Sequence, residues 1–150
     1  MMRTNGYQTY LENEVLSASP LRLVQMLYAA ALDSVSSARR SVRAGDIRAR
    51  SRAITKAMRI VTELSRCLNR EAGGDMSQNL ARVYGYVLKL LMESNARQTE
   101  SPLAEAESLL STLAEAWAEC ALLESEAVPH DNRFSFEQGL AATGTSQRAW

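Results

Sequence analysis

Histidine is the side chain that enzymes use most often for proton transfer and metal binding, and this chain of 150 residues contains one, His130. His130 follows the last stretch with helical periodicity and is expected to be solvated. Without a histidine inside the periodic segments, the chain lacks the pattern of a Ser-His or Cys-His nucleophile pair and of an ordinary zinc site. These residue types therefore point away from catalysis.

Carboxylates and glycines are the other residues that could carry chemistry. A helical bundle can hold two metal ions when inward carboxylates combine with Glu-x-x-His pairs, but Glu105, Glu115 and Glu119 lie mostly outside the apolar stripe of their segment. Gly73-Gly74 lacks the spacing of a phosphate-binding loop. We expect no enzyme activity, no metal and no cofactor.

Charge is balanced overall but unevenly distributed. Seventeen basic and seventeen acidic residues cancel, which argues against a general binder of nucleic acid or membrane surfaces. Ten basic residues lie between Arg39 and Arg70, whereas ten acidic residues lie between Glu93 and Glu137. Either the basic middle segment packs near the acidic late segment, or it forms a docking surface for an acidic partner.

The basic segment has a weak signature for nucleic-acid binding. Its cations do not form one clean stripe, and no aromatic side chain interleaves them as a stacking platform. The cations concerned are Arg48, Arg50, Arg52, Lys56 and Arg59. We expect no nucleic-acid partner.

The cysteines and the terminal residues bear on the cellular compartment. Cys67 and Cys120 have apolar neighbours at helical spacing and are expected to be buried small hydrophobes rather than a disulfide. The first seven residues lack the apolar core of a signal peptide, and no run approaches the ~18 apolar residues of a membrane span. The expected location is the cytoplasm, without membrane insertion.

Four segments have apolar residues at the three- and four-residue spacing of an amphipathic helix. Serine or aspartate caps, proline at the first turn and glycine after the last turn set their limits. The predicted limits are Ser19-Pro20 and Gly45, Asp46 and Gly73-Gly74, Asp75 and Arg97, and Ser101-Pro102 and Glu126. Gly73-Gly74 ends either the second helix or the short connection after it.

These segments predict an all-α fold, an antiparallel up-down four-helix bundle, because the connections are short and no stretch alternates like a strand. The predicted divisions are an N-terminal lid segment (1–18), the bundle (19–128) and a flexible C-terminal tail (129–150). The predicted interior stripes are Val24, Leu27, Ala31, Val35, Ala38 and Val42; Ile47, Ile54, Ala57, Val61, Leu64 and Leu68; Met76, Leu80, Val83, Val87 and Leu90, with Tyr84, Leu88 and Leu91 offset; and Leu103, Ala106, Leu110, Leu113, Trp117 and Cys120.

Four groups of residues form an ordered pattern along the chain. They are Ser17-Ala18-Ser19-Pro20 with Leu23, Met26-Leu27-Tyr28 and Ala31; Ala53-Ile54-Thr55-Lys56-Ala57 with Ile60-Val61; Gly73-Gly74-Asp75 with Asn79-Leu80, Val83-Tyr84, Tyr86, Leu90-Leu91 and Asn95; and Leu109-Leu110, Leu113 and Ala116-Trp117. In this order and spacing they resemble the flagellar export chaperone family FliS, over roughly residues 7–123.

The resemblance implies a four-helix bundle in the cytosol with no catalytic activity and no cofactor. It implies binding of the disordered C-terminal region of flagellin, prevention of premature polymerisation, and delivery to the flagellar type III export apparatus. The implied partners are flagellin and the export gate, with a flagellar regulator as a further alternative.

A disordered client can fold as amphipathic helices in an apolar groove, and surplus apolar residues on the second and third helices suit that role. The candidate contacts are Ile54, Met58, Val61, Leu80, Tyr84, Val87 and Leu91, with Asn79 and Asn95 as hydrogen-bonding amides. Each apolar member could instead belong to the bundle core. Gly85 stands where the family often has an acid, and it either leaves room for a client backbone or weakens the helix.

The segment before the first helix is the second candidate functional element. We expect Tyr7, Tyr10 and Leu16 to cover part of the client groove in the free protein, as such a segment can in the family. An ordinary frayed terminus is the alternative. Two other functions remain open from the sequence: a bundle that associates with itself as a scaffold, and an adaptor for a flagellar regulator.

Overall fold

The computed structural model describes residues 19–68 and 70–127, without the side chains of residues 70–72 and 124–127. Four α-helices account for almost all of this part: α1 (Pro20–Ala44), α2 (Ile47–Arg66), α3 (Arg70–Arg97) and α4 (Ser101–Ala127). No strand occurs among the described residues. None of their helices is long and apolar enough to cross a bilayer.

The limits of α1 follow from its capping residues. The Ser19 hydroxyl accepts a hydrogen bond from the Arg22 amide, and Pro20 occupies the first helical position. Gly45 ends the helix in the left-handed conformation (φ 72°), which glycine adopts without steric penalty. The amides of Gly45 and Asp46 then bond back to carbonyls of the last turn. Both predicted limits are confirmed.

α2 begins where the sequence predicts, since the Asp46 carboxylate accepts a hydrogen bond from the Ala49 amide. Of the two predicted alternatives for Gly73-Gly74, the end of α2 is wrong and the end of the connection after it is confirmed, because the non-helical Gly74 separates a short helical turn from the long helix that follows. α2 ends at Arg66, and both glycines lie within α3, which begins at Arg70 and bends at Gly74 (φ 60°, ψ −137°). At Gly73 a Cβ would clash with the Ser77 side chain, so the close approach needs glycine. The expected start at Asp75 therefore marks the residue after a kink.

The connection from α3 to α4 is short and tightly bonded. Gln98 takes a left-handed conformation (φ 57°), and its amide bonds to the Ser94 carbonyl at 2.7 Å. The buried Ser94 hydroxyl donates to the Thr99 carbonyl. The Glu100 carbonyl accepts the first helical bond of α4, from Ala104. α4 begins at Ser101, so the start predicted from Ser101-Pro102 is confirmed.

The four helices pack in a ring in which each contacts the helices before and after it, and α1 also contacts α4. Arg39, late in α1, reaches Glu100 at the start of α4, and Arg50, early in α2, reaches Asn95 near the end of α3. Neighbouring helices are therefore antiparallel, and the predicted all-α four-helix bundle is confirmed. The lid segment (1–18) and the tail (129–150) lie outside the described residues.

Most of the predicted interior stripes form the core. Its buried apolar members are Val24, Tyr28, Ala31, Val35, Ala38, Ala53, Ile54, Ala57, Val61, Leu64, Tyr84, Val87, Leu90, Leu91, Leu103, Ala106 and Leu110. Tight packing of α1 relies on small side chains such as Ala31 and Ala38, which let helices approach closely.

Several predicted interior residues are exposed instead. Ile47 is the first residue of α2, and Met76 follows the kink at Gly74, where helical periodicity no longer predicts the inward face. Cys67, at the end of α2, and Cys120 are both exposed, so the expectation of buried cysteines is wrong. Leu122 and Leu123, close to Cys120 in the last turns of α4, are exposed as well.

Candidate functional site

Five of the apolar residues expected to contact a client lie inside the bundle. Their side chains are 0–1% exposed, because they fall on the stripes of α2 and α3 that face α1 and α4. They are Ile54, Val61, Tyr84, Val87 and Leu91. The interpretation of these five as surplus surface residues is therefore wrong, and they form the core beneath any surface site.

The polar atom of Tyr84, its hydroxyl oxygen, is also used inside the core. Its hydroxyl oxygen lies 2.6 Å from that of Tyr28, and Trp117 donates its indole N–H to the Tyr28 hydroxyl at 3.2 Å. Burial, and then the hydrogen bond to Tyr28, raise the pKa of Tyr84 above its usual value. Both phenols stay protonated, and the two hydroxyls and the indole N–H, which come from α1, α3 and α4, bond to one another. Sequence reasoning missed this pair because its members are far apart in the chain.

The surface between α2 and α3 holds the remaining apolar candidate from α2, Met58, which is half-buried against the core. On α3, Leu88 is half-buried and Met92 is 53% exposed. Asn95 contacts Ser51 of α2, and Leu88 precedes Asn95 by seven residues, so both lie on the side of α3 that faces α2. Met92, between them in sequence, lies on the outer edge of the same side. We call this surface the α2–α3 groove.

Small side chains make the α2–α3 groove shallow and open. Gly85 precedes Met92 by seven residues, and a Cβ built there would have no atom within 4 Å. Thr55 and Thr62, also seven residues apart, are exposed on α2 beside Met58. The absent side chain at Gly85 thus leaves space where another backbone could approach. Met92 was not among the predicted contacts, whereas the sequence had suggested Gly85 as a place with room for a client backbone.

Polar contacts close one end of the groove. The guanidinium of the buried Arg50 donates to the Asn95 side-chain oxygen at 3.2 Å and to its main-chain carbonyl at 3.4 Å. The Ser51 hydroxyl donates to the same side-chain oxygen at 3.5 Å. A cation at the carboxyl end of α3 also complements the helix dipole. The oxygen of Asn95 therefore joins α2 to α3, which leaves its amide N–H₂ as the atom that could serve a client.

The other predicted contacts lie elsewhere on α3. Asn79 is exposed, and its side-chain oxygen accepts a hydrogen bond from Arg82 at 2.6 Å. Leu80 is half-buried against the core, close to the kink. Towards α4, the Tyr86 hydroxyl donates to Glu105 at 2.6 Å, and this bond raises the Tyr86 pKa. The structure thus does not bring Asn79 and Asn95 to one patch.

The predicted lid residues Tyr7, Tyr10 and Leu16 lie outside the described residues, as does His130. Within the ranges 19–68 and 70–127, no group of three histidine, cysteine, aspartate or glutamate side chains is placed to hold a metal ion. What the described surface offers is an apolar groove with polar edges, which suits binding of a chain segment.

Most of the chain matches one protein family and several of its characterised members. Residues 3–124 match the family described as "Flagellar protein FliS". A flagellar secretion chaperone FliS from Salmonella typhimurium (strain LT2) is 36% identical over 122 residues, covering 78% of this chain and 90% of that protein. The FliS of Escherichia coli (strain K12) is 30% identical over 130 residues (83% and 96% of the two chains). The FliSB of Pseudomonas aeruginosa is 33% identical over 110 residues (73% and 87%).

Proposed function

The chain belongs to the FliS family of flagellar proteins, and from that membership we propose that it is a cytosolic secretion chaperone for flagellin. In this proposal it binds the disordered C-terminal region of flagellin, prevents premature polymerisation, and helps to deliver the client to the flagellar type III export apparatus. The role of export chaperone rests on the family and on relatives named flagellar secretion chaperone. The identity of the client and its docking site rest on the physical arguments that follow.

The observation that supports a client site is the open α2–α3 groove. An amphipathic client helix would place its apolar residues over Met58, Leu88 and Met92, and its backbone over Gly85. Methionine suits such a surface, because its flexible thioether adapts to irregular partners. The amide of Asn95 at one end can bond to exposed backbone groups of the client.

The energetics call for more than one contact. Covering the exposed part of one large apolar side chain contributes on the order of 1–2 kcal/mol. A disordered segment that folds on binding loses roughly 2–5 kcal/mol to ordering, so a single contact is insufficient. A longer client that also reaches a second, separate patch at Leu80 and Asn79, near the kink of α3, would gain the additional area.

The buried residues have an indirect role in this proposal. Ile54, Val61, Tyr84, Val87 and Leu91 fix the positions of α2 and α3, and the spacing of these helices sets the groove width. Tyr7, Tyr10 and Leu16 are proposed to cover the groove in the free protein. Deleting residues 1–16 should then raise binding of an apolar dye and alter flagellin affinity; no change in either would exclude a lid.

Size-exclusion chromatography with purified flagellin tests the proposed function. We expect a one-to-one complex with intact flagellin and none with flagellin that lacks its C-terminal region. A chain that stays homo-oligomeric, or binds both forms of flagellin equally, would contradict the proposal.

A further inference from the structure

The outward face of α2 carries a stripe of cations. Arg48, Arg52, Lys56 and Arg59 follow one another at spacings of four, four and three residues, so they share one face of the helix. All four are exposed, and the stripe extends for about 16 Å at the 1.5 Å rise per residue. From the sequence the cations did not form one stripe, because Arg50 lay among them. In the structure Arg50 is buried in the interior, and the remaining four cations lie along one exposed face of α2.

The acidic residues of the late segment do not neutralise this stripe. α2 and α4 lie diagonally across the bundle. Glu100 pairs with Arg39 and Arg43, and Glu107 pairs with Arg39, so these two glutamates engage the basic end of α1. The expectation that the basic segment packs near the acidic one is therefore confirmed for α1 and wrong for α2. Within the described residues, none of the four cations of the stripe has an ion pair.

Like charges four residues apart destabilise a helix, so an unpaired stripe is unfavourable in the free chain. A partner that brings negative charge would relieve this repulsion. Hydroxyl groups lie in reach of the same partner, because Ser37, Ser51 and Thr55 line an open depression together with Arg52 and Lys56. Guanidinium groups and hydroxyls in this combination suit carboxylates, which arginine can bind through two parallel hydrogen bonds.

We propose that the cation stripe of α2 binds an acidic polypeptide segment of a protein partner. A lipid surface would need large apolar side chains beside the cations, but the neighbouring outward residues Thr55, Thr62 and Glu63 are polar. A single-stranded nucleic acid would need aromatic platforms, and α2 contains no aromatic residue. The cations of the stripe lie on the outside of α2, whereas the client groove lies between α2 and α3, and the two surfaces adjoin at Ser51 and Thr55.

The test uses the full chain and poly-L-glutamate as the probe, with binding followed by fluorescence anisotropy at low and at physiological salt. We expect binding that weakens as salt rises. The double variant Arg52→Glu/Lys56→Glu should weaken it at least tenfold, and Arg52→Gln/Lys56→Gln should weaken it less. The neutral pair also guards against misfolding of the charge-reversed chain.

The matched control is Arg82→Glu/Lys89→Glu, which changes the net charge equally on the exposed face of α3. It should leave poly-L-glutamate binding within about twofold. Equal losses in both double variants would overturn the proposal, because binding would then follow net charge alone. Tighter binding to duplex RNA or to vesicles with anionic lipid than to poly-L-glutamate would also overturn it. Flagellin binding by Arg52→Glu/Lys56→Glu should be unchanged, which separates this site from the proposed function.

Discussion

The hydroxyl oxygens of Tyr28 and Tyr84 meet at 2.6 Å in the interior of the bundle, across the diagonal from α1 to α3. The two rings are tilted at 53° with centroids 6.4 Å apart, and Trp117 of α4 donates to the same hydroxyl cluster. Three of the four helices thus share one buried polar contact. Such a contact specifies how the helices are positioned, because each buried hydroxyl needs a partner in a fixed place.

Replacing Tyr84 separates its core role from a role in binding. Tyr84→Phe removes one buried hydrogen bond and should lower the free energy of unfolding by about 0.5–1.5 kcal/mol. Tyr84→Ala should lower it by roughly 3–5 kcal/mol, because a large cavity remains. Urea denaturation measures both. If Tyr84→Phe melted like the parent but bound flagellin much more weakly, the hydroxyl would belong to the client surface instead.

Stability at acidic pH should depend on Glu100. Hydrogen bonds from Arg43 and then Arg39 hold the pKa of this carboxyl below its ordinary value of 4.5. The pKa is lower in the folded than in the unfolded chain, so the stabilisation is present above about pH 4.5 and is lost as the pH falls below it. Melting temperatures measured from pH 6 downward should therefore fall less steeply for Glu100→Gln, which cannot titrate. Identical slopes for the two chains would show that the carboxylate contributes nothing.

In the turn between α3 and α4, Gln98 has a backbone conformation that glycine would adopt with less strain. Gln98 has φ 57°, a conformation that strains an L side chain but not glycine. Gln98→Gly should raise the free energy of unfolding by up to about 1 kcal/mol. The reverse comparison is Gly45→Ala, at φ 72° with open space around it, which should lower stability by a similar amount. Loss of stability in Gln98→Gly would mean that contacts of the Gln98 side chain outweigh the strain.

Gly85 should show a trade between helix stability and client access. It lies inside α3 with no neighbour near a new Cβ, so Gly85→Ala should stabilise the free protein by about 0.5–1 kcal/mol. Ala29→Gly, at an exposed position of α1, is the matched opposite change and should destabilise by a similar amount. Thermal melts of the two chains measure this. A destabilised Gly85→Ala would indicate that the groove is closed in the free protein.

The fold was predictable because local signals and helical periodicity agreed. Ser19, Gly45 and Asp46 cap their helices as expected, and each cap acts through atoms a few residues away. Prediction failed where a kink intervened, since Met76 faces outward once Gly74 breaks the helical path. Glycine pairs end a helix in many proteins, and the sequence does not show that a helical turn precedes this one.

The candidate site was less predictable, for a different reason. The sequence pattern of an apolar residue at helical spacing is the same whether its side chain lies in the core or in a surface groove. The pattern alone therefore could not show that Val87 and Leu91 are buried and that Met92 is exposed. The missing information is tertiary: which side of α3 faces α1, α2 and α4. The charge distribution along the sequence also does not show that α2 and α4 lie diagonally across the bundle. This placement explains why Arg39 of α1 pairs with a glutamate of α4 whereas Arg52 of α2 does not.

The most direct test is calorimetric titration of a C-terminal flagellin fragment into the full chain and into Gly85→Arg, with Ala29→Arg on α1 as the matched control. We expect one-to-one binding to the parent and to Ala29→Arg, and at least tenfold weaker binding to Gly85→Arg, whose side chain would fill the α2–α3 groove. Equal affinity of all three chains, with Gly85→Arg shown to be folded by its thermal melt, would contradict the assignment of that groove to the client.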